Sequence, residues 1–404
     1  MNNKYCKYCW PTKRRSHLIH HFEYYINKII TPILASLRHP LPKDTKIKRP
    51  SHDYLWSLWV NFLSLIKIIS LTDNPDETKL RNRSLIFFRE AKKRGLNIKA
   101  IKFLGKYIGD FKLTYNGKNH YYEEIPLTIF CDNSHCDDKF FIKKLLQKHN
   151  IPVSQGELFT DARKALQFGK TIGFPLVVKP VSGSLSHHVI CSIDSEEKLL
   201  TAIKIARKYR PDFIVEKHIN GNLFRATVVD KKIIFICQKD KANIVGDGRS
   251  TIKRLIKIKN SDRSRGDIYQ KNTTLHKIPI DDVLIENLKN QRLNPQSILP
   301  KNEKIYIQNK FILSHGCDVI NCDENAHIDN KELFIKIADI LNVNLVGIDF
   351  ICPDISKSYK EQETAILECN SLPYIDMHQY PSHGESEPVA KIVWDIVLDH
   401  LTND

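Results

Sequence analysis

Two short apolar runs near the C-terminal end carry polar side chains that a buried strand does not ordinarily hold. Val346–Phe350 reads V-G-I-D-F, with one acid, Asp349. Ala365–Asn370 reads A-I-L-E-C-N, and Glu368 and Asn370, two residues apart, share one face of an extended strand. A carboxylate left unpaired in such a setting is costly, so these side chains need a purpose. Oxygens converging from adjacent antiparallel strands suit Mg²⁺ that also meets phosphates. The alternative is a buried ion pair.

Two upstream segments add phosphate-handling chemistry. In Gly173–Val189, the β-branched run Leu176–Val178 ends in Lys179 and is stopped by Pro180. A small-residue loop with Ser182, Gly183, Ser184 and Ser186 follows, and the pattern predicts a return strand over Val189–Ser192. A lysine facing a loop of amides and hydroxyls suits a triphosphate, although a surface lysine beside a hairpin has the same pattern. In Phe213–Arg225, a strand runs into Glu216, Asn220-Gly221 makes a turn, and Arg225 opens the next strand. Glu216 and the Lys217 backbone suit an adenine edge and Arg225 a phosphoryl oxygen; the alternative is a salt-bridged hairpin.

The phosphate-loop and dinucleotide-fingerprint readings are weak. Gly169-Lys170-Thr171 has Lys164 where a phosphate loop needs its upstream glycine, and Gly246-Asp247-Gly248 has Thr251 where a dinucleotide fingerprint needs its third. Sequence order alone argues no Ser-His-Asp or catalytic-cysteine arrangement.

The chain has 404 residues, room for two or three domains, and its net charge is +16. Residues 1–50 hold eleven Lys/Arg against Glu23 and Asp44, so the excess gathers in a terminal arm with Lys13, Arg14, Arg15, Lys46, Lys48 and Arg49. Such an arm reads as a solvated tail, with peripheral membrane contact as its alternative and nucleic acid not expected. Residues 51–75 are expected to form an amphipathic helix, with apolar positions Leu55, Leu58, Trp59, Phe62, Leu65, Ile66 and Ile69; Asn61 and Lys67 argue against a membrane span. Ten cysteines without scaffold density, and no secretory signal, point to the cytoplasm. Cys6-x-x-Cys9 with His17, His20 and His21, and Cys131-x4-Cys136 with His135, have zinc-type donors in a spacing that fits no standard finger. Three regions follow: arm plus helix over 1–75, a small α/β unit over 76–136, and a regular alternation of strands and helices over 137–404.

The three elements in this order resemble the ATP-grasp superfamily. The match sharpens at Ala242–Thr251 (A-N-I-V-G-D-G-R-S-T), Lys259-Asn260, Arg265-Gly266, Leu313-Ser314-His315-Gly316, Met377-His378 and Pro381-Ser382-His383-Gly384. That series is similar to the ATP-grasp domain of cyanophycin synthetases and of bifunctional glutathione-forming enzymes, over roughly Asp138–Leu401. The resemblance implies an α+β fold with two subdomains clasping ATP, behind a small α/β unit and a basic N-terminal extension.

Carried across by position, the resemblance implies that Lys143 and Lys179 hold ATP phosphates. Ser182, Gly183, Ser184 and Ser186 would belong to a covering loop that runs to His188. Glu216 and Lys217 would border adenine, and Arg225, with Lys179, would serve the transferring phosphoryl. Asp349, Glu368 and Asn370 would bind Mg²⁺, as two ions, with Mn²⁺ as a substitute. Gly246–Gly248 and the Arg265 region would shape the acceptor side. The activity implied is ATP-dependent carboxylate–amine ligation through an acyl phosphate, on amino acids or short peptides, with the oligomeric state open. The chain departs from relatives at Ser186 and His188, where further glycines are usual, and at Leu223, Tyr374 and Asp376. Tyr374 and Asp376 suggest a different acceptor or donor. Cyanophycin synthetases continue into a second ligase domain beyond the point corresponding to Asp404, so full cyanophycin synthesis is not expected. The glycine-poor loop and Leu223 motivate a second reading, a nucleotide-binding sensor or scaffold without turnover.

Overall fold

A computed structural model describes residues 6–9, 16–22, 24–26, 52–130, 134–183 and 186–403. The chain divides into two compact units, one of Met1–Arg49, Asp137–Asn220 and Thr364–Leu367, the other of Pro50–Cys136, Gly221–Glu363 and Glu368–Asp404.

The first unit is built on a four-stranded antiparallel sheet in the order Gly156–Phe159, Phe213–Lys217, Leu176–Pro180, Ile190–Ile193. Helices Ala162–Ile172 and Glu196–Tyr209 start at side-chain caps, Asp161 accepting from the Arg163 amide and Ser195 from that of Lys198. Their apolar faces bury Ala165, Leu199, Ala202 and Ile203 against Leu176, Val178, Phe213 and Val215. The helices approach closely because Gly169 has no side chain: a Cβ there would lie 2.6 Å from Leu199 Cδ2.

The second unit holds a five-stranded sheet in the order Asp318–Asn321, Ile233–Asp240, Asn222–Val229, Leu345–Cys352, Ala365–Asn370, residues 368–370 of the last strand belonging to this unit. Every residue of Leu345–Cys352 is buried, as expected of a run that is apolar but for Asp349. A second sheet of four antiparallel strands, Ile69–Thr72, Asn97–Phe103, Lys106–Tyr115 and Lys118–Glu123, belongs to the same unit. Helices Asn82–Lys93 and Val389–Asn403 contribute Phe87 and Trp394 to one core with Phe111, Leu113, Val229 and Leu345. The Trp394 indole donates to the Phe87 carbonyl at 2.9 Å. Residues 76–136 thus share a core with the strands that carry Arg225 and Asp349.

The amphipathic helix is shorter than the expected 51–75. It spans His52–Leu65, and Ile69–Thr72 is instead a strand, with Ile69 opposite Phe103. Lys67 takes a left-handed backbone, φ 58°, which a helix cannot continue through. Ile69 packs with Val60 and Ile101, whereas Leu58, Phe62, Leu65 and Ile66 of the anticipated apolar stripe are exposed. Among the described residues no helix is long and apolar enough to cross a membrane. The basic positions Lys13, Arg14, Arg15, Lys46, Lys48 and Arg49, like Cys131, lie outside the described residues. Nine cysteines are described, and none is in a disulfide.

Candidate functional site

In the first unit, two lysines converge on one carboxylate. Helix Lys139–Lys148 is capped by Asp138, which accepts from the amides of Phe140 and Phe141. One turn in, Lys143 donates from Nζ to Glu216 and to the Ser154 carbonyl, the latter at 2.9 Å. Lys179, on strand Leu176–Pro180, reaches the other oxygen of Glu216 at 2.6 Å. All three side chains are buried. Burial alone would raise the Glu216 carboxyl, but the two ammonium groups outweigh it and hold it below its ordinary value. Burial lowers Lys143, with Lys179 adding to that effect and Glu216 opposing it. Two cations against one anion leave a net positive, partly desolvated centre suited to a phosphate oxygen.

The remaining candidates of this unit make contacts of their own. Lys217 follows Glu216 on its strand; its side chain donates to the carbonyls of Phe174, at 2.8 Å, and Gly173, and its amide donates to Gln155. The Ser182 hydroxyl accepts from Arg210, which is itself paired with Asp212. Gly183 has φ 135°, while Ser186 and His188 have φ 52° and 54°. The latter two therefore occupy the left-handed region that glycine enters at least cost, which gives a physical reason for glycines at such positions. Ser184 lies outside the described residues.

In the second unit, Arg225 and Asp349 are cross-strand partners, with Arg225 Nε 2.6 Å from Asp349 Oδ1. Lys239, on strand Ile233–Asp240, donates to both Asp349 oxygens at 3.1 Å. The three are buried. Burial opposes ionisation of Asp349, but Arg225 and Lys239 prevail and keep its carboxyl well below the usual range. The Arg225 Nη1 atom is buried with no hydrogen-bond partner among the described residues. It lies over Gly347, where a Cβ would come within 2.9 Å of it. A buried guanidinium nitrogen with a donor to spare is a group prepared for an anion.

Glu368 and Asn370 lie half-buried on the strand beside that of Asp349. The Asn370 amide nitrogen donates to the Gly347 carbonyl at 3.4 Å, which leaves its oxygen available as a donor to a cation. Two carboxylates and an amide oxygen are hard donors of the kind a divalent cation of the Mg²⁺ class takes, and both Asp349 oxygens are engaged by Arg225 and Lys239.

Lys239 was not singled out in the sequence; only its place on the strand paired with Asn222–Val229 brings it to Asp349. His378 is also buried here, with Nε2 2.8 Å from the Thr227 hydroxyl. Its imidazole is pushed down to about 3 by burial and then by Arg225 and Lys239, so it is neutral. A further ion-pair centre gathers on Asp318, which pairs with Arg265 and with Lys259 at 2.5 Å and accepts from Asn243 at 3.0 Å. Motif residues far apart in the chain therefore meet at one carboxylate. The departures Tyr374 and Asp376 face the helix that begins at Asn82. The Arg83 guanidinium lies 4.9 Å from the Tyr374 ring centre, and Asp376 accepts from Thr274 and Asn82.

Comparison with known proteins agrees with this architecture. Residues 136–260 match the RimK-like ATP-grasp domain. The cyanophycin synthetase of Synechocystis sp. is 32% identical over 266 residues, covering 65% of this chain and 30% of that protein. The glutathione biosynthesis bifunctional protein GshAB of Clostridium perfringens is 28% identical over 266 residues, 65% of this chain and 34% of its own length. The chain thus spans about a third of the length of these relatives. The crystal structure of a bifunctional glutathione synthetase from Pasteurella multocida superposes with a TM-score of 0.62 at 22% identity, covering 80% of this chain and 44% of that one, which establishes a common fold. The chain therefore has the ATP-grasp fold, and over residues 136–260 it is similar to the RimK-like ATP-grasp domain.

Proposed function

We propose that this chain is an ATP-dependent carboxylate–amine ligase that forms an amide or peptide bond through an acyl phosphate. The observation that carries this reading is the buried Arg225–Asp349–Lys239 cluster, in which Arg225 Nη1 has no hydrogen-bond partner among the described residues. In the proposed reaction a substrate carboxylate oxygen attacks the γ-phosphorus, and the bond to the bridging oxygen of ADP breaks. An amine then attacks the acyl carbon, phosphate leaves, and the nitrogen loses a proton. Charge collects on the transferring phosphoryl and then on the tetrahedral intermediate, where a fixed guanidinium donor is worth most. Lys143 and Lys179 would hold nucleotide phosphates, with Glu216 keeping both ammonium groups in place. Ser182, Gly183 and Ser186 would lie along the phosphates, and Glu216 and Lys217 would border adenine.

ATP-grasp ligases use ATP with a divalent metal ion. Asp349, Glu368 and Asn370 would hold Mg²⁺ here, with Mn²⁺ as a substitute. When bound, the ion supplies neutralisation of phosphate charge. The substrates we infer are amino acids or short peptides, in keeping with relatives named for cyanophycin and glutathione synthesis. The sensor reading finds no support. Ser186 and His188 adopt the backbone that glycine would supply, and the relatives named above are biosynthetic enzymes.

Arg225→Lys tests the assignment. Lysine keeps the charge but has a single nitrogen in place of the three of the guanidinium, so kcat is expected to fall about 10²–10³-fold while ATP binding persists. An unchanged kcat would remove Arg225 from the reaction.

A further inference from the structure

A different donor set converges within the first unit. Cys6, Cys9, His17 and His188 bring two thiols and two imidazoles together, with all four potential ligand atoms within 4.8 Å of one another. Cys6 Sγ lies 3.3 Å from His188 Nε2, and Cys9 Sγ lies 3.8 Å from His17 Nε2. A tetrahedral ion with bonds of about 2.0–2.3 Å separates its ligand atoms by roughly 3.3–3.8 Å, so the four need only a small closure. Neither cysteine is in a disulfide.

The surroundings also suit a metal. The His188 ring is fully buried, and its Nδ1 lies 2.6 Å from the Ile205 carbonyl, which can only accept. Nδ1 therefore carries the proton, and the lone pair of Nε2 faces Cys6. A ligand imidazole oriented by a backbone carbonyl on its other nitrogen is the usual outer partner of a zinc-bound histidine. The short 3-10 helix Lys7–Cys9 spaces the two thiols, and the His188 amide donates to the Tyr8 carbonyl at 3.3 Å. Tyr209 walls the cluster, its ring centre 5.3 Å from that of His17 and 5.1 Å from that of His188.

We propose that Cys6, Cys9, His17 and His188 form a structural Zn²⁺ site. Two thiolates and two neutral imidazoles are the donors of closed tetrahedral zinc sites, and they are too soft for the Mg²⁺ assigned to Asp349. The spacing Cys6-x-x-Cys9 with His17 fits no standard finger because the fourth ligand comes from 182 residues beyond Cys6. The ion would staple Cys6, Cys9 and His17 to His188, the end of the stretch that begins at Ser182, and its binding energy would add to folding energy.

The test is the metal content of the full chain, purified under reductant and measured by plasma mass spectrometry. One zinc per chain is expected, lost in Cys9→Ser and His188→Gln and retained in Cys191→Ser, whose thiol is exposed and outside the cluster. Truncating a buried ligand can also disorder its segment, so Co²⁺ added to the metal-stripped wild type gives a second reading. A thiolate-to-cobalt charge-transfer band with the visible bands of tetrahedral Co²⁺ is expected. Wild-type protein without zinc that also fails to develop these bands overturns the proposal, as does zinc retained in full by Cys9→Ser. Neither readout depends on ATP, so the result stands apart from the ligase reading.

Discussion

Arg225 and Asp349 face each other across neighbouring antiparallel strands, and their side chains meet at 2.6 Å inside the sheet. Lys239 closes on the same carboxylate from the strand on the other side of Arg225. Two cations in the interior are held by one anion. Asp349→Asn leaves both without a counter-charge, and a loss of about 3–5 kcal/mol in stability is expected. Urea unfolding of the variant measures it. A loss below about 1 kcal/mol would mean that water already screens the cluster.

Gly347 gives Arg225 its space. A Cβ there would stand 2.9 Å from Arg225 Nη1 and 2.6 Å from Pro373 Cβ. Gly347→Ala is expected to cost about 1–3 kcal/mol through overpacking and to lower turnover further by displacing the guanidinium. Thermal unfolding and kcat should both move; an unchanged kcat would show that Nη1 is not used.

Glu216 plays the matching part in the first unit, between Lys143 and Lys179. Its folded value is depressed, so the stability it contributes is present above the ordinary carboxylate value of 4.5 and is lost as pH falls through the folded value. Glu216→Gln should remove that acid-limb dependence and weaken the fold at neutral pH by about 3–5 kcal/mol. Equal stability of variant and wild type at neutral pH would contradict the pairing.

His378 gives a pH signature of its own. Burial, then Arg225 and Lys239, lower it from 6.5 to about 3. Between those values the unfolded chain binds a proton that the folded chain does not, so the stability it contributes grows as pH rises and levels off above 6.5. Asp323, raised to about 7, and Asp110, raised to about 6, both chiefly by burial, act in the opposite sense. The difference between wild type and His378→Gln isolates the imidazole. That difference should rise by about 1.4 kcal/mol per pH unit from about pH 4 to about pH 6 and then flatten. A flat difference throughout would show that the folded imidazole is already protonated.

Much of the framework was legible in the sequence, for reasons local to each segment. Apolar β-branched runs with a single acid or base marked the strands that carry Lys179, Glu216, Asp349 and Glu368. Asp349 was readable as a charge needing a partner, but not that Lys239 would share it with Arg225. That depends on strand order in the sheet, which local pattern does not encode. Ile66 and Ile69 continue the helical spacing past the end of the helix at Leu65, while the left-handed turn at Lys67 leaves no mark in hydrophobicity. Cys6 and Cys9 were visible as a pair, whereas His188 reaches them only through tertiary contact.

Phosphate release from ATP in the presence of Mg²⁺, screened against pools of amino acids and dipeptides, bears most directly on the proposed activity. Release that requires a particular acid–amine pair is expected, with ADP and a new amide detected by mass and with loss of turnover in Glu368→Ala. Measurable ATP binding with no stimulated release under any pair, or release undiminished in Glu368→Ala, would contradict ligation through this carboxylate set.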